Sequence, residues 1–301
     1  MRKEMRLFGV VVCIIVVAML FSSCGKSNLL NRGEGAEPSK TPGKVASISK
    51  QELEKYVNQL PSLKNVFESH RVKFQSSYSN ENEGFLEIRR IGDHSKLLSE
   101  EEEAVLRQSI YKAVGGEFPL NISVYTIGDQ PGLTGKITAI DEKGRFLVVS
   151  SNKFLDKEKK MPDAAWYTMS DDANMEFEGK PIHARNVRIG SIVKVWSEGL
   201  MLTSYPGQTT GLRLEIMTRD NGIGDARGNV TGLEKTGEGV NTERTIEVDG
   251  VKHRLLPITQ VWMNDKNADI SDIKMGESVK IWFAGYEIGP EKIVTQVVIE
   301  R

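Results

Sequence analysis

Cysteine is almost missing from this 301-residue chain, which has only Cys13 and Cys24. Cys13 lies inside an N-terminal apolar run that leaves with the leader. What remains has no internal disulfide and no thiolate pair for zinc. Histidine is sparse as well: His70, His94, His183 and His253 are scattered, without His-x-x-x-His spacing. No serine stands in a recognisable nucleophile context. An enzyme needs a nucleophile with a base, paired carboxylates, or metal ligands at usable spacing, so the sequence predicts a non-enzyme with no catalytic residues, no cofactor and no metal site. Positive charge is not in excess either, with 40 Lys and Arg against 41 Asp and Glu. That balance excludes a nucleic-acid partner, which would need a basic surface to displace phosphate counterions. Long apolar runs are absent beyond Leu7 to Phe21, whose 15 residues fall short of the ~20 that span a bilayer.

What is present is an ordinary globular balance, 39% hydrophobic and 27% charged. The chain starts with Arg2, Lys3 and Arg6, continues through the apolar run, and reaches Leu20-Phe-Ser-Ser-Cys24. A short basic start, an apolar centre and small residues at the end make residues 1–23 a secretory signal. The small residues before Cys24 resemble the lipobox of bacterial lipoproteins. That resemblance implies cleavage before Cys24, thioether lipidation of it, and a protein anchored to the outer, extracytoplasmic face of the cell membrane. Removing Arg2, Lys3, Arg6 and Glu4 leaves 37 basic against 40 acidic residues. Residues 24–44 are rich in Gly, Ser, Asn, Pro and charge, and read as a disordered tether. A flexible coil of that length reaches roughly 25 Å.

The remainder is organised around a repeat. Arg188-Ile-Gly-Ser-Ile-Val-Lys-Val-Trp196 returns as Ile273-Lys-Met-Gly-Glu-Ser-Val-Lys-Ile-Trp282, and Gly135-Lys-Ile-Thr138 returns as Gly228-Asn-Val-Thr231. Two related β modules follow, at 131–220 and 221–301. Strands are expected at 135–141, 145–150, 164–169, 192–197 and 211–217 in the first. The second has them at 229–234, 243–248, 251–256, 278–283 and 293–300. Five strands with a long connection between the third and fourth predict two tandem small OB-like Greek-key barrels.

Upstream, residues 45–130 read as a small α+β domain of order α-β-β-α-β. Ser49 and Ser99 each begin a capping box, closed by Glu52 and Glu102. Pro61 and the Gly115-Gly116 pair stop the two helices. The expected fold class is therefore mainly β with an α+β N-terminal domain.

The first module also resembles a known family. Gly135-Lys-Ile-Thr138, Gly190-Ser-Ile-Val-Lys-Val-Trp196 and Ser204-Tyr-Pro-Gly-Gln208 are similar to the YobA-like family of bacterial lipoproteins and secreted proteins, over about residues 132–218. Residues 228–300 resemble it more weakly. The resemblance implies a location and a module; the family has no assigned function.

Aromatic residues are the candidates for contact with a ligand or partner. Trp196 ends the fourth strand, Tyr205 sits in the following loop, and Trp166 and Tyr167 lie on the third strand. Aromatics at such places stack on sugar rings or docked peptides, or else plug the core. Asp171-Asp-Ala-Asn-Met-Glu176 offers oxygen ligands for calcium but lacks the EF-hand spacing and reads as a polar turn. The expected function is a non-catalytic, membrane-anchored binding protein whose partner is an envelope protein or polymer. The alternatives are an envelope enzyme or its regulatory subunit, with a site between the α+β domain and the first barrel, and a structural spacer.

Overall fold

A computed structural model of the chain describes residues 48–237 and 242–300. The segments expected to be a signal peptide and a tether, with Cys24, lie outside the described residues. Two helices open the fold, α1 (Lys50–Val57) and α2 (Lys64–Ser69), joined by a 3-10 turn at Leu60–Ser62. Ser49 caps α1 by accepting a hydrogen bond from the Glu52 N–H, and Ile48 packs on the same core as Leu53 and Val57. The sequence reading missed α2, which follows Pro61 after only one turn.

Strands β1 (Val72–Ser79) and β2 (Gly84–Arg90) form a hairpin whose turn is held by Asn80 Oδ1, which accepts from the N–H groups of Asn82 and Glu83. Helix α3 (Glu100–Val114) carries the complete capping box of Ser99 and Glu102, and ends at Gly115 with φ +87°. It crosses over to β3 (Leu120–Val124), which pairs parallel to β2. Leu53, Phe67, Ile88, Leu106, Ile110 and Phe118 fill the core between helices and sheet.

The first β module contains β4 (Leu133–Ile140), β5 (Phe146–Phe154), β6 (Pro162–Phe177), β7 (Lys180–Pro181), β8 (Ile192–Leu202) and β9 (Gly207–Thr218). The second contains β10 (Ala226–Thr236), β11 (Glu243–Val248), β12 (Val251–Met263), β13 (Lys266–Ala268), β14 (Ser278–Phe283) and β15 (Ile293–Glu300). Strand order is the same in both: β5-β4-β8-β9-β6-β7, with β5 also pairing β6, and β11-β10-β14-β15-β12-β13, with β11 also pairing β12. The repeat survives in the register, since Gly135 faces Val193 and Gly228 faces Val279.

The expectation of two small five-stranded OB-like barrels is corrected by this arrangement. Each module has six strands. Strands β6 and β12 run for 16 and 13 residues, past Met169 and Leu256 where the sequence reading ended them, and each turns back onto a short sixth strand. With 50% strand and 15% helix in three sheets, the architecture is read as a β-solenoid rather than two closed barrels. Among the described residues, no helix is long and apolar enough to cross a membrane.

The units are fastened to one another. The first half of strand β5 is buried on both faces: Phe146 and Val148 join the first module's own core, while Leu147 and Val149 pack with Ala139 and Ala164 under Ile258 and Tyr286 of the second. The Thr295 hydroxyl donates to the Thr138 carbonyl, Gln260 Nε2 to the Ile140 carbonyl at 3.2 Å, and Lys136 pairs with Asp225 across the same seam.

Candidate functional site

Of the four aromatics singled out by sequence, the structure buries two. Tyr167 is 1% exposed within the first module's core, and burial, reinforced by the Asp163 charge, pushes its phenol pKa well above the ordinary value. Trp196 is 5% exposed, with the Arg213 guanidinium 4.6 Å from its ring centre. Arg213 is held there by Glu176, whose Oε1 accepts from its Nε at 3.1 Å. Trp282, the repeat counterpart of Trp196, is likewise buried and donates to Asp220 at 3.4 Å. Alternation on β6 explains the split between neighbours: Tyr167 faces the core, and Trp166 faces the seam.

Trp166 and Tyr205 come together there. Both are half-buried against Ala139, Leu147, Val149 and Ala164, alongside Tyr286 from the second module. The Tyr205 ring lies 6.1 Å from that of Tyr286 at 77°, an edge-to-face contact. The Tyr205 hydroxyl lies 2.9 Å from the Pro162 carbonyl and 3.2 Å from that of Tyr286, so its one proton is shared between the two modules. Burial first, then the carboxylates of Asp163 and Glu287 and the Tyr286 phenol, push its pKa up to about 12. Tyr205 therefore stays a neutral hydrogen-bonding group at physiological pH.

Beside these rings is a cavity of about 290 Å³. Tyr205, Tyr286, Ile288 and Ile293 give it apolar walls, and Arg254 and Glu287 give it polar ones. One oxygen of Glu287 accepts from the Ile293 N–H at 2.6 Å. The other, Oε2, is buried without a hydrogen-bond partner among the described residues, and so is Arg254 Nε. A buried polar atom left unpaired costs about 1–3 kcal/mol. Both atoms, a donor and an acceptor, belong to side chains that line this one cavity. Arg254 lay outside the sequence reading because nothing in a β-strand's alternation distinguishes a cleft arginine from a surface one.

A second cluster lies where the α+β domain meets the first module, the place assigned to a site in the enzyme alternative. Arg89, 1% exposed on β2, makes two hydrogen bonds to Asp172 on β6, at 2.6 and 3.0 Å. Ser170 donates to the same carboxylate at 2.6 Å, and the Gly92 N–H does so at 3.2 Å. Burial alone would raise the pKa of Asp172, but the hydrogen bonds from Arg89 and Ser170 outweigh it and hold the carboxyl well below the usual range. His94, buried in the same junction, has its ring nitrogens 3.2 Å from the Arg90 carbonyl and 3.0 Å from that of Asp172. His183 is exposed elsewhere.

The segment read as a possible calcium loop is thus strand β6. Two of its carboxylates are engaged within the protein, Asp172 with Arg89 and Glu176 with Arg213, and the Asn174 amide donates to the Gly92 carbonyl. Among the described residues, no group of three or more His, Cys, Asp or Glu side chains is placed to hold a metal ion.

Three docked units, two of them copies of one β module, with an aromatic cleft between the copies, define a β-rich modular protein. Residues 134–218, nearly all of the first module, match the family described as Protein of unknown function (DUF3221). That match covers one module and does not carry the YobA-like name. No curated protein and no solved structure matches the chain.

Proposed function

We propose that the protein is a non-catalytic binding protein of the cell envelope, held on the outer face of the cell membrane by a lipid on Cys24, and that the seam between its β modules is the contact site. The observation that supports this reading is the cavity beside Tyr205 and Tyr286, where a buried donor on Arg254 and a buried acceptor on Glu287 have no partner among the described residues. Unpaired polar groups beside aromatic walls are the composition of a ligand cleft. The basic start, the apolar run and the small residues before Cys24 support the anchored location.

Two experiments test the two halves. Cells expressing the chain are fed a labelled fatty acid; label in the wild-type protein and none in Cys24→Ala is the expected result, and label in neither removes the anchor. The full chain is then immobilised and exposed to solubilised envelope protein, peptidoglycan and teichoic fractions. Retention of one class, weakened by Tyr286→Ala, is expected. Retention of none of them removes the binding reading.

A further inference from the structure

The composition of the seam cavity narrows what it can take. Among the described residues Arg254 is the one cation of the lining, against Glu287 and Glu291. Asp163, itself paired with Lys153 at 2.8 Å, and Asp156 lie close enough to raise the pKa of Tyr205, as Glu287 does. The local field is therefore negative, and a phosphate or carboxylate entering the cavity meets net repulsion. A cation would satisfy Glu287 but would leave Arg254 Nε facing a like charge. The group that fits both orphaned atoms is neutral and combines an acceptor for Arg254 Nε with a donor for Glu287 Oε2. A hydroxyl does this with one oxygen, and two neighbouring hydroxyls on a ring do it without strain.

The walls supply the other half. Tyr205 and Tyr286 meet edge to face, 77° between planes, so their rings present two faces at a corner rather than one flat platform. Ile288 and Ile293 continue the apolar surface. A peptide added as a strand is recognised chiefly through main-chain hydrogen bonds to a free sheet edge, whereas the unpaired polar atoms of this lining belong to the side chains of Arg254 and Glu287. A compact ring with apolar C–H faces and hydroxyl edges matches the aromatic corner and the two polar atoms together.

We propose that the cavity between Tyr205, Tyr286, Arg254 and Glu287 is a subsite for one neutral sugar residue of an envelope glycan. This inference rests on the binding reading above and specifies its ligand class. Arg254 Nε donates to a ring hydroxyl, Glu287 Oε2 accepts from the same or the adjacent hydroxyl, and the tyrosine corner packs on the ring's C–H face.

The test uses the full chain in detergent micelles, with a tetramer of N-acetylglucosamine as the neutral probe, polyglycerol phosphate as the anionic one and an alanine tripeptide as the peptide one. Calorimetry and saturation-transfer NMR read binding. Saturable binding of the tetramer is expected, weakened about tenfold in Glu287→Gln and in Arg254→Lys, each of which loses one hydrogen bond to the ligand. Neither variant should melt below the wild type, because neither atom bonds within the described residues and the glutamine keeps the oxygen that accepts from the Ile293 N–H. Absence of tetramer binding, or binding that both variants leave unchanged, overturns the proposal. Variant-sensitive binding of the polyphosphate or the tripeptide in place of the tetramer also overturns it, while leaving the envelope-binding reading intact. If no envelope fraction is retained by the full chain either, that broader reading falls as well.

Discussion

The Arg89 guanidinium and the Asp172 carboxylate meet in a bidentate pair, at 2.6 and 3.0 Å, that ties β2 of the α+β domain to β6 of the first module. Arg89 is 1% exposed, and its Nε has no hydrogen-bond partner, so Asp172 is the main compensation for its buried charge. Removing one member of such a pair is expected to cost about 3–5 kcal/mol, because the other is left uncompensated. Asp172→Asn should therefore lower the stability of the full chain markedly in urea, with Arg89→Met, which removes the charge needing compensation, less damaging. Equal midpoints for Asp172→Asn and wild type would show that the junction does not depend on this pair.

The same pair sets a pH dependence of definite sign. Asp172 is held well below the usual carboxylate range despite its burial, through the bonds from Arg89 and Ser170. For a carboxyl depressed in the folded state, the stabilisation is complete above the unfolded value of about 4 and is lost as pH falls toward the folded value. Urea midpoints measured from pH 6 downward should be flat and then decline below about pH 4. In Asp172→Asn, this component of the decline should be absent. A wild-type profile indistinguishable in shape from the variant's would contradict the assignment.

Trp196 carries a prediction that separates core from contact. Its ring is 5% exposed under Arg213, which is fixed by Glu176. Trp196→Ala opens a large void and removes the cation–π contact, for an expected loss of about 3–5 kcal/mol. Trp196→Phe fills much of the void and should restore most of the loss. Neither change is expected to alter ligand contact at the seam, because Trp196 is absent from its lining. Melting temperature and envelope retention measured together would reveal a contact role if Trp196→Phe kept stability and lost retention.

How much of this was readable in the sequence depends on the residue. The repeat was, because Gly135 and Gly228 occupy the same register against Val193 and Val279. The cap of α3 was, since Ser99 and Glu102 act locally. Closed barrels did not follow from the strand count, because the polar run after Met169 imitates a stop where the strand in fact continues. There, β6 continues through Asp172 and Asn174 to dock the α+β domain. Polar residues that bond across a junction look like a turn when read alone. The seam was half visible. The run Phe146-Leu-Val-Val149 is continuous rather than alternating, which is the mark of burial on both faces. Tyr205 stands out in the sequence as an aromatic in a loop, but its partner Tyr286 and the charges of Arg254 and Glu287 are brought beside it only by packing of the two modules.

The strand segment Leu200 to Leu202 is exposed on both faces of its ribbon, with relative exposures of 74%, 48% and 67% for Leu200, Met201 and Leu202. Three neighbouring apolar residues facing water contribute little to folding but favour self-association. Leu200→Ser with Leu202→Thr should shift stability by no more than about 0.5 kcal/mol. The same double variant should remain monodisperse in light scattering at concentrations where the wild type associates. Identical scattering for the two would show that the segment is shielded in solution.

The repeated glycines Gly135 and Gly228 allow one last comparison, since the same substitution meets different obstacles at equivalent positions. A methyl group on Gly135 would lie 2.3 Å from the carbonyl oxygen of Val149 and 2.6 Å from its carbon, both backbone atoms of the neighbouring strand β5. Relief requires β4 and β5 to part, and this half of β5 is buried on both faces, so the displacement reaches the seam as well. At Gly228 the nearest atoms are the Asp249 carboxylate at 2.2 Å and a Val248 methyl at 2.8 Å, side-chain atoms that can turn. The cost there is the Asp249 bond to the Asn229 N–H, 2.9 Å long and exposed. Gly135→Ala should therefore destabilise the chain by about 2–3 kcal/mol, as overpacking against a fixed backbone does, and Gly228→Ala by about 1 kcal/mol. Differential scanning calorimetry on the two single variants would decide. Equal shifts would mean that the strands of the first module give way as readily as a side chain, and the tight packing argued for β5 would be wrong.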